Sequence, residues 1–472
     1  MRNSKVYSIL KEFDRIEQNR FRKYLTSPYF NRDETLVQLF DLLINDVNGG
    51  NGIELEKDVL WRQLLPGQPY NDPRFRKYCS DLLKLAEGFL AQEVYEEAPM
   101  QKTIHLIQAV GKKKIDKLFR STMRTARRIA ADHPFESAHF FYDQYEIEKR
   151  YFEMAGHDLK RAEKSNLEAI SDNLDKFYLS EKLRLHNEAL ARKKFSSIQY
   201  HLKFIDEILP SIEKYELQSV PAIAVYYQIH LMSTDPDNQD HFFELKELLH
   251  RHGNIFPIAE LVNLYHSAIN YCIQKLNKGN QDFLNDLFDL HKELVEREIS
   301  AGWELSPWDF RNLIVVALRM GKYEWSEDFI ENYAQYIPES YRNNAITFNL
   351  ATVHFYQQKF EAVIQLLREV EYEDPSYNLN SKAMLLATYY ETDEIEPLYS
   401  LFESFRVYLN RNKDIPENRR RNFKNLIKYT KRLTKITPGD SKSLEKLKRE
   451  VNSTRNIASI GWLKEKIAEM EN

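Results

Sequence analysis

Few residues in this chain have types and spacings that could carry chemistry. His250 and His252 flank Arg251 just before Gly253, with His241 upstream. Imidazoles are metal ligands, but side chains two apart on a helix point in different directions, so these do not converge. They read as helix-end histidines, favoured by the negative end of the helix dipole. Asp235, Asp237 and Asp240 resemble the opening of a calcium loop. The sixth position is Asp240 where glycine must turn the chain, and the twelfth is Lys246 where a bidentate carboxylate is needed. Gly49-Gly50-Asn51-Gly52 lacks the Lys-Ser/Thr of a phosphate cradle. Ser171-Asp172-Asn173 has no Lys-Thr-Gly partner. No Cys-x-x-Cys, zinc-protease helix motif or Gly-x-Ser-x-Gly elbow is present. The expectation is a non-enzymatic chain with no metal or cofactor.

Charge is the stronger signal. Gly111 to Arg128 holds eight basic residues against one acid, and Asn418 to Ile436 holds eight and none. These stretches carry +7 and +8 in a chain of net charge −4, so the remainder carries −19. On a helical wheel Lys117, Arg120, Arg124, Arg127 and Arg128 share one face, opposite Ile115, Leu118, Phe119, Thr122, Ala126 and Ile129. Arg420, Lys424, Lys428, Lys431 and Lys435 do the same, opposite Phe423, Leu426, Ile427, Thr430 and Leu433. Such faces attract phosphate backbones or acidic partners, and are otherwise the solvated side of a helix.

The elements that position these residues are helices. Thirteen glycines in 472 residues leave little for phosphate loops or tight hairpins. In Ser4 to Thr26 the apolar residues recur at helical steps, and Pro28 follows the stop. Asn31 and Glu34 read as a capping box for a helix over Asp33 to Asp46. Helices then follow over Leu55 to Leu65 and Arg74 to Tyr95, separated by a Pro-rich turn, and Pro99 closes the block. Arg20-Phe21-Arg22-Lys23-Tyr24 recurs as Arg74-Phe75-Arg76-Lys77-Tyr78, which fits a duplicated hairpin or two helices converged on one pattern. Two distant cysteines imply no disulfide framework and a reducing compartment. Met1 to Asp14 lacks the apolar core of a signal peptide, and the longest apolar run, Leu313 to Leu318, is far short of the roughly 20 residues of a membrane span. A cytoplasmic location is expected.

A degenerate repeat runs along the chain. Seven of sixteen prolines follow an aromatic residue by fifteen positions: Phe13/Pro28, Phe119/Pro134, Phe195/Pro210, Phe242/Pro257, Tyr323/Pro338, Phe360/Pro375 and Phe423/Pro438. Phe13/Pro28 has no helix before it and counts as background. Two units, Pro307 to Tyr341 and Asn344 to Tyr377, are offset by 37 residues. Leu313 and Ile314 correspond to Leu350 and Ala351, and turns fall at Gly321 and at Gln357 to Lys359. The second stripes are Tyr323, Ser326, Ile330, Tyr333 and Phe360, Val363, Leu367, Val370. Phe195/Ile198/Leu202/Ile205/Pro210, Phe242/Leu245/Leu249/Pro257 and Phe119/Thr122/Ala126/Ile129/Pro134 match that second-helix pattern. Units without the proline fit around Phe283/Leu287/Leu290 and Glu394 to Arg411.

This order resembles the tetratricopeptide repeat over roughly residues 102 to 440. The first-helix Trp is missing, small residues are often replaced (Val363, Ile314), and spacing wanders, so the resemblance is to a divergent member. It implies an all-α fold: an N-terminal helical domain (1–98), a right-handed α-α superhelix (99–440) and C-terminal capping helices (441–472). First helices would line the concave side, and both basic faces would lie on outward second helices. The function expected is a scaffold that binds a peptide or protein partner. The alternative is a nucleic-acid-binding regulator using the basic faces. Lys57 to Leu90 resembles part of a helix-turn-helix module, although Arg76 and Lys77 are few cations for a recognition helix.

Overall fold

The computed structural model describes residues 1–50, 55–154, 166–193, 199–368, 375–437, 439–454 and 456–471. Among them all regular structure is helical and no strand is present. The chain falls into two compact units, Met1–Lys182 and Leu183–Asn472.

The first unit opens with α1 (Lys5–Glu12), α2 (Arg15–Thr26), α3 (Glu34–Val47), α4 (Lys57–Leu64) and α5 (Asp72–Glu97). These five share one apolar core that includes Phe21, Phe40, Trp61, Phe75 and Phe89. The periodicity of Ser4 to Thr26 predicts one helix, and the chain breaks it at Phe13 and Asp14. The Asp14 carboxylate accepts from the Ile16 and Glu17 amides, and Glu17 accepts from the Asp14 amide in return. This capping box restarts the helix and turns Phe13 onto Phe21 and Phe89, at centroid distances of 5.7 and 5.6 Å. Asn31 is likewise not the cap of α3. Asp33 is, accepting from the Thr35 amide, while Asn31 holds the preceding turn through Leu25 O and Asp33 O. The two Arg-Phe-Arg-Lys-Tyr segments place Phe21 and Phe75 in the same core, both fully buried. Their arginines differ in partner: Arg22 pairs with Asp41 at 2.9 Å and Arg76 with Asp72 at 2.7 Å.

The unit continues with α6 (Pro99–Lys112), α7 (Asp116–Ala131), α8 (Ala138–Met154) and α9 (Leu167–Lys193), whose last turns belong to the second unit. The apolar face of α7 is Phe119, Thr122, Met123, Ala126 and Ala130. Ile115 and Leu118, assigned to that face by the wheel, are exposed at its N-terminal end instead, beyond the reach of α6 and α8.

After α10 (Ile205–Lys214), the second unit runs through α11 (Pro221–Thr234), α12 (Asp240–His252), α13 (Ile258–Asn277), α14 (Phe283–Ser300), α15 (Pro307–Arg319), α16 (Tyr323–Tyr333), α17 (Glu339–Tyr356), α18 (Phe360–Leu367), α19 (Pro375–Glu391), α20 (Ile395–Arg411), α21 (Glu417–Leu433), α22 (Ser441–Ser453) and α23 (Ile460–Glu469). Odd- and even-numbered helices from α11 to α20 pack as consecutive pairs, and odd helices also touch odd neighbours: α11 with α13, α15 with α17, α17 with α19, α19 with α21. The expected turns are in place, with positive φ at Gly321 and Gln358.

Proline has a different role from the one its spacing suggests. It does not end the second helix of a pair. Helices α12 and α16 end in short 3-10 turns, Gly253–Ile255 and Ala334–Tyr336, before the proline arrives. Proline instead opens the next odd helix. Pro257, Pro338 and Pro416 are the N-caps of α13, α17 and α21, and Pro221, Pro307 and Pro375 are the first residues of α11, α15 and α19. At a helix start the missing N–H has no partner to lose and φ is already near its helical value. By the same criterion α21 belongs to the odd series, so its basic face does not lie on a second helix as expected. Two of the repeat prolines depart from this: Pro134 lies in the loop between α7 and α8, and Pro210 sits inside α10. The Phe195-to-Pro210 match therefore fails. Leu202 precedes α10, and Phe195 and Ile198, like Val370 and Pro438, lie outside the described residues.

Aromatic residues join the pairs. Phe242 on α12 stacks on Tyr271 of α13 at 5.2 Å and meets Phe283 of α14 edge-on at 5.3 Å. All three are buried. Phe242→Ala leaves a void shared by three helices and should cost about 3–5 kcal/mol in urea unfolding. Tyr29→Ala, at an 88%-exposed ring, should leave the midpoint unchanged.

Candidate functional site, a pocket across three odd helices

The inner ends of α9, α11 and α13 enclose a pocket of about 530 Å³ within the second unit. Ile229, Met232 and Tyr271, all buried, make its apolar floor, and the exposed Ile273 stands at its rim. Amides and hydroxyls surround this floor: Asn187, Asn270, Gln274, Ser233 and Ser267. Asn187 is fixed by donating from Nδ2 to the Tyr226 carbonyl at 2.7 Å, and its Oδ1 is buried without a partner. Side-chain amides both donate and accept, so this lining suits the alternating N–H and C=O of an extended backbone. Beside it His186 and His230 touch at 3.2 Å. Burial holds His230 down at about 4, with the neighbouring His186 adding to the effect, so both rings are neutral near pH 7.

A second pocket of about 350 Å³ lies between α14 and α16, lined by Trp325, Asp328 and Tyr333. A third, of about 640 Å³, lies against α19 and α20. Its wall includes Arg368, which adjoins residues outside the described set.

A buried polar cluster bridges α13, α14 and α15. His266 Nε2 lies 3.3 Å from Asp309 Oδ1, and this bond raises the imidazole above its ordinary value. His291 and Glu298, on α14, are 2% and 4% exposed, and His291 Nδ1 and Glu298 Oε2 have no hydrogen-bond partner among the described residues. Burial, then the nearby Asp309, pushes the Glu298 carboxyl up to about 7. Burial holds His291 down at about 4. Among the described residues no three His, Cys, Asp or Glu side chains are placed to hold a metal ion. His250, remote from such a set, faces Glu293 at 3.4 Å.

The basic faces divide into free and occupied cations. On α7, Lys117, Arg120, Arg124 and Arg128 are exposed and form no ion pair among the described residues. Arg127 points toward Glu148 at 3.5 Å and covers the Tyr151 ring at 5.3 Å. On α21, Lys424 and Lys428 are exposed, and Lys428 lies over Tyr429 at 4.8 Å; Lys435, expected on the same face, is exposed in the turn beyond the helix end. Lys431 pairs with Glu403 of α20 at 2.9 Å. Arg420 is not a surface cation: its side chain is 18% exposed and donates to the Asn412 and Ile415 carbonyls, each at 3.1 Å, and to Glu417 at 2.8 Å. It clasps the loop before α21. Arg421, omitted from the wheel, is exposed one turn from Lys424.

Among the described residues no helix is long and apolar enough to cross a membrane. No family model, no curated protein and no solved structure matches the chain.

Glu298 gives the second unit a pH-dependent stability with a definite sign. Its folded-state value lies above the unfolded 4.5, so the stability tied to its proton is full below pH 4.5 and lost as pH rises through about 7. Glu298→Gln removes that loss. In urea melts the variant should gain on wild type by about 2 kcal/mol between about pH 5.5 and about pH 8. A difference that is flat with pH would contradict the assignment.

Proposed function

We propose that this chain is a non-enzymatic interaction scaffold, a divergent tetratricopeptide-like right-handed solenoid that binds an extended segment of a protein partner across its odd-numbered helices. The observation that carries this reading is the pocket shared by α9, α11 and α13, where an apolar floor is ringed by amides from separate helices. Residues from three helices that converge on one pocket suit a ligand that runs across them. The wall chemistry favours a peptide: Ile229, Met232 and Tyr271 take an apolar side chain, while Asn187, Asn270 and Gln274 pair with its backbone. A cytoplasmic location agrees with the two unpaired cysteines.

A second reading has one specific observation in its favour. Lys117, Arg120, Arg124 and Arg128 are exposed, aligned along α7 and unpaired, which is the electrostatic footprint of a nucleic-acid contact. The α21 face supports it less, because Arg420 and Lys431 are engaged within the chain.

Affinity purification of the tagged chain from its own cells, with and without nuclease, separates the two. The scaffold reading predicts a stoichiometric protein that survives nuclease and is lost with Ile273→Glu, which places a charge at the pocket rim. Because Ile273 is 39% exposed, that variant should keep its urea midpoint to within about 0.5 kcal/mol. Partners that vanish on nuclease treatment and on charge reversal at Arg120 and Arg124, but not with Ile273→Glu, would transfer the function to α7.

A further inference from the structure

Arg311 is an anomaly in charge pairing. Its side chain is half-buried on α15, and Nε is fully buried with no hydrogen-bond partner among the described residues. No hydrogen bond or ion pair to it occurs among the described residues; its contact is the face of Phe348 on α17, 5.4 Å from the guanidinium carbon. Other half-buried arginines have their guanidinium satisfied: Arg342 donates to the Gln335 and Ile337 carbonyls, and three more meet carboxylates. Arg150 meets Glu146 at 2.8 Å, Arg297 meets Glu293 at 2.8 Å, and Arg420 meets Glu417 at 2.8 Å. Among the described residues the charged or ionisable groups that act on Arg311 are Tyr377, Arg419 of α21 and Tyr356, none of them a carboxylate. Burial accordingly lowers its ionisation below the usual arginine range. A guanidinium desolvated with no hydrogen-bond or ion-pair partner costs stability unless an anion arrives.

Trp308, one turn before Arg311 on the same helix, is 39% exposed and stacks on Tyr377 of α19 at 5.9 Å. Tyr377 in turn meets Phe348 edge-on at 5.4 Å. Trp308 is thus the exposed ring of an aromatic cluster whose other two members, Phe348 and Tyr377, are buried, and Arg311 is set against that cluster.

We propose that Arg311 is the anion-reading position of the scaffold, receiving an oxyanion carried by the bound protein segment, with Trp308 covering the neighbouring apolar side chain. The guanidinium fork suits a carboxylate or a phosphate group, so the shared chemistry is a bidentate oxyanion. The proposal rests on the scaffold reading, since it takes the ligand to be a protein segment running along the odd helices.

The test uses the full chain, wild type and Arg311→Met, on four immobilised random-peptide libraries. Three are acetylated and amidated with a fixed central glutamate, phosphoserine or glutamine, and the fourth has a free C-terminal carboxylate. Wild type should prefer one anionic library over the glutamine library by about tenfold to about a hundredfold, as a charge-assisted bidentate pair gives. The preferred library names the source of the oxyanion. Arg311→Met should abolish the preference while keeping or raising the urea midpoint, because it removes an unpaired buried charge. Should that variant fail to fold, the unpaired-charge argument is wrong and the proposal falls with it. Arg311→Lys, which keeps the charge and loses the fork, should retain the fold with a reduced preference. Equal retention of all libraries by wild type sinks the anion assignment and leaves the pocket reading intact. Retention of no peptide at all sinks both. An oligonucleotide held by wild type and released by Arg311→Met, with no peptide preference, assigns the anion to nucleic acid and overturns the proposal.

Discussion

A single pair of helices has more apolar surface than the pair itself can cover. The second unit depends on that constraint: each pair must be closed by the next. Phe242 is the clearest instance, since its ring is wedged between its own helix and the two that follow. Stacking of this kind uses the flanks of every odd helix and leaves one face over. The amides of α9 and α13 around the α11 floor, and the exposed Trp308 ring of α15, are left outside this packing. The function proposed for the chain follows from what the packing does not consume.

Much of this architecture was legible in the sequence, for a physical reason. The 37-residue offset is carried by residues that are buried or conformationally constrained, such as Leu313, Ser326, Ile330, Val363 and Gly321. What was misread has causes as specific. The apolar period of Ser4 to Thr26 continues in phase through the break, so it hides the Asp14-Glu17 capping box that is plainly spelled out. Proline fifteen residues after an aromatic looks like a stop for the helix behind it. In the chain it is a start for the helix ahead, which is why Pro221, Pro307 and Pro416 belong to the same series without the aromatic spacing.

The candidate site was much less legible. Nothing distinguishes Asn187, Asn270 or Gln274 from ordinary solvated residues until three helices are brought together. A wheel shows that Arg420 shares a face with Lys424, but not that a loop folds its carbonyls back over the guanidinium. His291 and Glu298 stand two turns apart on α14, so their shared face could be read, whereas their approach to Asp309 on α15 could not. Arg311 is the extreme case. One arginine among apolar residues signals nothing by itself, and its meaning comes from the lack of a carboxylate partner among the described residues.

The central claim is that the partner is held on the odd-numbered helices. A photo-crosslinking side chain placed at Ile273 on α13, and separately at Phe243 on the neighbouring α12, tests it most directly in cells. Both positions are exposed, at 39% and 48%, so neither placement disturbs the core. The account predicts one discrete protein adduct from Ile273 and none from Phe243. An adduct from Phe243 alone would move the binding surface to the even helices and contradict it.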